Sequence, residues 1–180
     1  FAGIILFGRY HDDSLPHELE GRSIPWLTIN QFSRHQTCNF VAVDNFGGGL
    51  EVGRLFARNG YDPVLVFGPS VGTTQSISDK FSGFLYGYLS GGKHLDRVQL
   101  QLTSDVEPTE AEARELAKKL TSADRPRAIF CHGDYLAARV LRLASELGLA
   151  IPRELAVVGS TGLSLAEHTI PPLTVLAQPM

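Results

Sequence analysis

The sequence has little cysteine and no long apolar run. Its 180 residues include only two cysteines, Cys38 and Cys131, which share no Cys-x-x-Cys spacing. Two such cysteines do not make a disulfide framework, so a reducing cytoplasm is the expected location. No apolar run reaches the roughly 20 residues that a bilayer span needs, which predicts no transmembrane helix. The chain opens on an apolar run typical of a strand interior, with no secretory leader, and we expect further sequence before it.

The sequence also lacks a cluster of positive charge. It carries 16 Lys and Arg against 19 Asp and Glu, a net charge of −3, and the basic residues are scattered. Proteins that follow a nucleic-acid backbone present a basic patch or stripe. These residues by themselves are therefore poor candidates for direct nucleic-acid binding. The apolar fraction of 43% instead indicates a globular domain with a real core.

Several short motifs of phosphate binding and catalysis are missing. The 18 glycines form neither a Gly-x-Gly-x-x-Gly nor a Walker-type loop. The glycine run at 47–49 precedes a predicted helix, and close helix packing is favoured there over phosphate binding. Ser160 has no Gly-x-Ser-x-Gly elbow, which argues against an α/β-hydrolase site.

The stretch Cys-His-Gly-Asp at 131–134 contains residue types of catalytic and metal sites. It has no second Cys or His at metal-ligand spacing. Neighbours on a strand point to opposite faces, so Cys131 and His132 do not easily reach one point. A core cysteine, a loop histidine and Asp134 as a helix cap are the favoured interpretation.

What the sequence does have is an alternation of apolar runs with helical patterns. Strands are predicted at Ile4–Phe7, Trp26–Ile29, 41–43, 64–67, 98–102, Ala128–Cys131 and 156–158. Four helices are predicted. The first has Val52, Leu55 and Phe56 on one face and ends at Gly60, and the second covers 77–89 and ends at Gly91 and Gly92. The third begins with a capping box at 109–112, and the fourth covers about 134–147 and ends at Gly148. Continuous apolar strands joined by helices predict an α/β fold with a parallel sheet covered on both faces.

Ligands of such sheets bind at the carboxyl ends of the strands. The residues at these ends are 7–8, Asn30, 44–45, 68–80, 105–106, 132–134 and 159–162. The last of these stretches, Gly-Ser-Thr-Gly, follows a buried apolar run with small and polar side chains. It therefore lies at an edge where a ligand can be held.

Eight stretches of the chain together carry a family resemblance. They are 41–49, 54–61, 66–69, 80–84, 128–134, 147–159, 171–174 and 178–179. The most specific features are Gly-Leu-x-Ile-Pro at 148–152, Val-Val-Gly at 157–159 and Pro-Pro-Leu-Thr at 171–174. In order and spacing the set resembles the lactose-repressor/galactose-repressor (LacI/GalR) family of transcription regulators, over essentially the whole chain.

The resemblance implies a periplasmic-binding-protein-like type I fold. Two Rossmann-like lobes with parallel sheets would close on a small effector in the cleft between them. Residues 1–43 would be the remnant of an incomplete N-terminal lobe, 44–176 the C-terminal lobe, and 177–180 the crossover back. The family's helix-turn-helix head would lie upstream of this sequence.

The resemblance also assigns candidate ligand-binding residues one by one. Lys80 occupies the position where the family usually has an arginine that binds the effector. Lysine keeps the positive charge but cannot form the two parallel hydrogen bonds of a guanidinium group. Asp134, Asp44 and Gln178 match family residues at the fourth helix, the lobe junction and the crossover, and Asp134 is expected to bind cleft hydroxyls as well as cap its helix. With the strand-end residues and the neighbour of Lys80, the full candidate set is Phe7, Asn30, Asp44, Ser76, Lys80, Val106, Asp134, Thr161 and Gln178.

Two sugar-binding residues of the family are replaced in this sequence. Thr161 stands where relatives carry an acid, and Val106 stands where they carry an aromatic that stacks on a sugar ring. Losing the acid removes charge-assisted hydrogen bonds to sugar hydroxyls. The expected effector is therefore a sugar, a sugar phosphate or another small polar metabolite, with the cleft shifted toward neutral or anionic ligands.

The resemblance favours a regulator over two other functions. The leading hypothesis is the effector-binding and dimerisation core of a cytoplasmic DNA-binding regulator, not an enzyme, with no cofactor and no metal. It would bind operator DNA through the upstream head, as a homodimer. The alternative is a free-standing periplasmic-type solute-binding protein. An enzyme on a flavodoxin-like sheet, with Asp44, His132 and Asp134 as acid–base candidates, is the third hypothesis.

Overall fold

Two parallel sheets and their flanking helices make up the protein. The computed structural model describes residues 2–7, 14–22, 24–30, 39–69, 74–105 and 107–179. The first sheet has three strands in the order β1-β2-β3, and the second has five in the order β5-β4-β6-β7-β8. The predicted α/β class with parallel sheets is confirmed. Among the predicted features, Gly8, Cys38 and Val106 lie outside the described residues.

The first sheet is small and lightly buried. Its strands are β1 (Ile4–Phe7), β2 (Trp26–Ile29) and β3 (Asn39–Val41), all parallel. β3 begins and ends two residues before the predicted strand at 41–43. A short helix, α1 (Ser14–Glu20), follows β1. It was not predicted, because seven residues with few apolar side chains give too little periodicity to recognise.

The second sheet is larger, and its central strands are buried on both faces. Its strands are β4 (Val64–Pro69), β5 (Val98–Thr103), β6 (Ala128–Cys131), β7 (Ala156–Gly159) and β8 (Thr174–Val175), and every pairing is parallel. β4 runs two residues further than predicted, through Gly68 and Pro69, because both pair with β5. The short strand β8 was not predicted.

Four longer helices cover the second sheet. They are α2 (Asn45–Arg58), α3 (Gln75–Ser90), α4 (Glu110–Thr121) and α5 (Asp134–Glu146). Two short 3₁₀ segments, Leu95–Arg97 and Ser164–His168, complete the described elements.

The predicted helix ends are largely confirmed. Gly60 and Gly148 have φ of +71° and +70°, the left-handed backbone that ends a helix. The Thr109–Glu112 capping box is present, with both reciprocal bonds formed. One prediction is wrong: the N-cap of α5 is Gly133, and Asp134 is the first helical residue, with its carboxylate bonded elsewhere.

The two faces of the second sheet carry separate apolar clusters. Alternation along each strand explains them: in β6, Ile129 and Cys131 pack against α4 and α5, while Ala128 and Phe130 pack against α2 and α3. On the α2–α3 side, the Phe84 ring lies 5.6 Å from Phe56 and 5.5 Å from Phe130, centroid to centroid. These clusters pack against the strands whose carboxyl ends carry the candidate residues.

Helices α2 and α3 touch backbone to backbone at glycines. A Cβ added to Gly49 would lie 2.0 Å from the Lys80 carbonyl oxygen, and one added to Gly83 would lie 2.0 Å from that of Phe46. Gly53 and Gly87 make equally close approaches further along. The interpretation of the 47–49 run as close helix packing is thus confirmed for Gly49. This contact fixes the position of the α3 turn that carries Lys80.

Candidate ligand-binding site

A polar cavity of about 250 Å³ opens at the carboxyl ends of the second sheet's strands. Its walls come from both sheets, because Asn30 and Val43 follow β2 and β3 of the first sheet, while the other residues belong to the second sheet, its helices and its connections. The lining residues are Asn30, Val43, Asn45, Ser76, Lys80, His132, Gly133, Ser160, Thr161 and Gln178. Five of the nine candidates, Asn30, Ser76, Lys80, Thr161 and Gln178, are therefore brought together.

Lys80 is the only cation among the lining residues. It lies in the second turn of α3 and is only 5% exposed. Within the described part of the chain its ammonium group has no hydrogen-bond or ion-pair partner. Burial lowers the pKa of Lys80 to about 8, against a weaker opposite effect of the Asp134 charge. At neutral pH the largely buried Lys80 side chain therefore presents a mostly protonated ammonium to the cavity, without a direct partner in the described residues.

Asn30 joins the first sheet to the start of α2. Its φ of +57° lies in the left-handed region, which asparagine tolerates better than most residues. Its backbone N–H donates to the Val41 carbonyl at 2.8 Å, and its Oδ1 accepts from the Val43 N–H at 3.2 Å. The Asn45 amide in turn donates to the Val43 carbonyl at 3.1 Å. These bonds shape the cavity wall between the sheets.

The loops after β6 and β7 are bonded to each other. The Gly133 N–H donates to the Ser160 hydroxyl at 3.1 Å, and Ser160 is buried. The Thr161 carbonyl accepts from the Gln178 N–H at 3.1 Å, which ties the segment after β8 to the same wall. Gly133, at φ +122°, adopts a backbone that favours glycine.

Asp134 lies behind the wall and does not line the cavity, although it was expected to bind cleft hydroxyls. The residue is fully buried, and its Oδ2 accepts from the Gly162 and Leu163 N–H groups at 2.8 and 2.7 Å. Its Oδ1 is buried without a partner in the described residues. Gly159 makes room for it, since a Cβ there would lie 2.6 Å from Oδ1. Asp134 therefore positions the loop after β7.

Three other candidates do not line the cavity as described. Asp44 is exposed, and its Oδ1 accepts from the Gly47 N–H at 2.8 Å, so it caps α2. Phe7 is 76% exposed at the end of β1. Val106 lies outside the described residues.

The structure adds lining residues that the candidate set left out. They are Val43, Asn45, His132, Gly133 and Ser160. All but Val43 belong to stretches at predicted strand ends, so that signal was present in the sequence. Burial, and to a lesser extent the Lys80 charge, lowers the pKa of His132 to about 4, so its imidazole is neutral at neutral pH. Cys131 points the opposite way, into the core, as strand alternation predicts.

The arrangement suits binding of a small polar molecule. Hydroxyl and amide groups, a neutral imidazole and one ammonium line the cavity, and none of the lining residues is an Asp or Glu. In the part of the chain that the structure describes, no group of three or more His, Cys, Asp and Glu could hold a metal ion. No described helix is long and apolar enough to cross a membrane.

A second cavity, of about 300 Å³, lies between α4 and α5. It is lined mainly by apolar side chains, with Arg139, Arg142 and Glu146 among the charged ones, and Arg142 pairs with Glu146 at 2.9 Å. It is slightly larger, but it lies along the sides of α4 and α5, whereas the polar cavity is lined by the residues that directly follow β6 and β7. Ligands of open α/β sheets bind at such strand ends. The cavity at the strand ends is therefore the candidate site.

The two parallel sheets with a polar cavity at their strand ends define a class of ligand-binding α/β proteins. Residues 54–180 match the family described as periplasmic binding protein-like domain. The chain belongs to this family.

Named relatives confirm the predicted resemblance to LacI/GalR regulators. The chain is 28% identical to the HTH-type transcriptional repressor PurR of Pectobacterium carotovorum over 177 residues, which are 98% of the chain and 51% of the repressor. A regulatory protein of the LacI family from Chloroflexus aggregans superposes with a TM-score of 0.84 at 19% identity, over 99% of this chain and 63% of that one. A LacI family regulator from Enterococcus faecium, solved with bound ribose, gives a TM-score of 0.80 at 22% identity, over 98% and 64%. The chain spans about half the length of the curated relatives it matches.

Proposed function

We propose that this chain is the effector-binding and dimerisation core of a cytoplasmic LacI/GalR-type transcription regulator, and not an enzyme. A small polar metabolite would bind in the cavity at the strand ends and control operator binding through a DNA-binding head outside these residues. In this proposal residues 1–43 belong to the N-terminal lobe, 44–176 form the C-terminal lobe, and 177–180 cross back.

One observation carries the proposal: the cavity takes its walls from both sheets. Asn30 comes from the first sheet, and Lys80 and Thr161 come from the second sheet's connections. A ligand that touches both sides binds a closed arrangement better than an open one. It therefore shifts the population of lobe arrangements by its difference in affinity for the two. In a dimer, that shift would change how the DNA-binding heads are spaced.

The names of the relatives support the regulatory part. The Pectobacterium relative is named as a repressor, and the Enterococcus structure holds ribose. A sugar-sized molecule fits the volume of this cavity, which is slightly below the range of drug-sized ligand pockets, about 300–1,000 Å³. Dimer pairing would be isologous, as in most homodimers.

The test is a thermal-shift screen of the full-length protein against sugars, sugar phosphates, nucleosides and polyols. A ligand at a hundredfold excess over its Kd stabilises the folded state by about 2.7 kcal/mol. We expect a selective shift that is lost in Asn30→Gly and in Thr161→Ala, one from each side of the cavity. Asn30→Gly keeps the left-handed backbone accessible, and Thr121→Ala, on the exposed side of α4, is the matched control.

Two results would contradict the proposal. A hit that both variants leave unchanged would put the ligand outside this cavity. A full-length protein that selects no specific sequence from a fragmented genomic library, with or without the hit, would not be a DNA-binding regulator. Light scattering tests the dimer, and turnover of any hit that disappears in a variant of the lining residue His132 would favour an enzyme.

A further inference from the structure

We propose that the ligand of this cavity carries one small anionic group, a carboxylate or a phosphate, that pairs with the Lys80 ammonium. The inference rests on the proposed function, because it names the chemical class of the molecule bound at the same site. It commits to the anionic group and leaves the remainder of the ligand as neutral hydroxyl or amide chemistry.

The first observation is that Lys80 is buried without a direct ion-pair or hydrogen-bond partner. It is 5% exposed, it lines the cavity, and its ammonium has no partner within the described residues. An ammonium taken out of water without an ion pair or hydrogen bonds is strongly unfavourable. A ligand anion would supply the missing partner at the one place where the cavity wall is positively charged.

The second observation is that three long helices begin at this cavity. The first residue of α2 (Asn45), the second residue of α3 (Ser76) and the N-cap of α5 (Gly133) are lining residues. Each helix start carries about half a positive charge from its aligned peptide dipoles. Gly133 makes no side-chain cap bond at the start of α5. The Asp44 carboxylate at the start of α2 and the Asp134 carboxylate at the start of α5 offset two of these dipoles. The start of α3 has no acidic residue in its first turn, so its dipole adds to the Lys80 charge and favours an anion.

The third observation is the set of uncharged partners. None of the lining residues is acidic, and the lining histidine, His132, is neutral at neutral pH. Asp134, which lies behind the cavity wall, is fully buried, and its Oδ2 accepts hydrogen bonds from two backbone N–H groups. Its charge acts on Lys80 at a distance, yet the two groups form no ion pair in the described structure. A neutral sugar would give the ammonium hydrogen bonds but no opposite charge, and an anionic relative of that sugar would give both.

The experiment compares matched neutral and anionic ligands on the full-length protein by isothermal titration calorimetry. The pairs are galactose and galacturonate, glucose and gluconate, ribose and ribose 5-phosphate, and glycerol and glycerol 3-phosphate. The first two pairs test a carboxylate and the last two a phosphate. We expect at least one anion to bind at least tenfold more tightly than its neutral partner.

Variants of Lys80 connect that preference to the cavity. Lys80→Met removes the charge and keeps the length, and we expect it to weaken binding of the preferred anion at least 30-fold. Lys80→Arg keeps the charge, and we expect it to stay within about tenfold of the unmodified protein. Lys118→Met removes an exposed lysine on α4 and should change nothing. The melting temperature of each variant, measured first, verifies that it is folded.

The outcomes separate this inference from the proposed function. If a neutral member binds as tightly as its anion and Lys80→Met leaves the affinity unchanged, the inference is wrong while the cavity remains a binding site. If an anion binds but only Lys118→Met weakens it, the anion sits elsewhere, and the inference is wrong. If no member of any pair binds, the inference is contradicted, while the proposed small-molecule function is decided by the wider thermal-shift screen.

Discussion

At the scale of single residues, Lys80 weakens the empty protein. Its pKa is lowered from 10.5 in the unfolded chain to about 8 in the folded protein, mainly by burial. Between these two pH values the unfolded chain binds more protons, so the free energy of unfolding rises as pH increases through that window. Below pH 8 the folded state carries the full penalty of the buried charge. The nearby Asp134 charge reduces this penalty, while His132 is neutral in this pH range and adds no charge.

We therefore predict that Lys80→Met stabilises the ligand-free protein. At pH 7 its free energy of unfolding should rise by about 1–3 kcal/mol, as when other buried charges are replaced by apolar side chains of similar volume. The increase between pH 8 and 10.5 should also disappear. Urea unfolding at pH 7, 8, 9.5 and 10.5 measures both effects. Lys118→Met is the exposed control, and equal stability of the two variants at every pH would contradict the burial of Lys80.

A second residue-scale prediction concerns Asp134, which holds the loop after β7. Asp134→Ala leaves the Gly162 and Leu163 N–H groups without their acceptor, and we expect a loss of about 2–4 kcal/mol. Asp134→Asn keeps one oxygen acceptor, so it should lose less. Chemical denaturation compares both with Asp96→Ala at an exposed position. A loss as small as that of Asp96→Ala would mean that the two bonds do not hold the loop.

Single residues also mark the limit of prediction from sequence. Position at a strand end was enough to find Asn30 and Thr161, because strand ends in a parallel sheet meet at one edge. It was not enough for Asp134, whose carboxylate turns away from the cavity toward the backbone of the next loop. That choice depends on Gly159, which leaves space beside the carboxylate. Such space is a property of packing and is not visible in the local sequence.

At the scale of elements, the contact between α2 and α3 determines where Lys80 lies. Gly49 faces the Lys80 carbonyl, and Gly83 faces that of Phe46, each with no room for a Cβ. The neighbouring atoms are backbone atoms of packed helices, which cannot move aside as a flexible side chain can. A substitution at either position must therefore separate the helices.

We predict that Gly83→Ala destabilises the protein by about 1–3 kcal/mol, the usual effect of overpacking a core. Alanine has a higher helix propensity than glycine, by about 1 kcal/mol, and the expected loss is what remains after this gain is subtracted. Ser82→Ala, one residue away on the exposed side of α3, is the matched control and should stay within about 0.5 kcal/mol. Thermal and urea unfolding provide the comparison. A stabilised Gly83→Ala would show that the helices are further apart than described.

Elements with strong local signals were predicted well. The helix α4 was found from its capping box, and β6 from its continuous apolar run, because both signals are local. The elements that were missed or shifted have weak local signals. β8 has two residues, and β3 has three exposed residues, so pairing with a neighbouring strand defines them and their own sequence does not.

At the scale of the whole molecule, the two sheets are unequally supported. The second sheet lies between two apolar clusters, and no residue of the described first sheet belongs to either. Ile5, Phe7, Phe40 and Val41 of the first sheet are all more than half exposed. The first sheet is therefore held mainly by its own strand pairing and by bonds such as the one from the Val43 N–H to Asn30.

This inequality predicts separate opening of the two sheets in the 180-residue chain. Backbone amides in β1 and β2 should exchange with solvent at least tenfold faster than those in β4 and β6, because regions with few buried apolar contacts open locally at low free energy. Hydrogen exchange followed by mass spectrometry measures this, with β5 as the matched comparison, since it is an edge strand of the second sheet but has buried Gln101 and Thr103.

Binding of an anion from the calorimetry panel should then slow exchange near Asn30 and near Thr161 together, because the cavity takes a wall from each sheet. Uniform exchange across both sheets without ligand would show that they unfold as one unit, and ligand protection on one side alone would mean that the ligand does not bridge them.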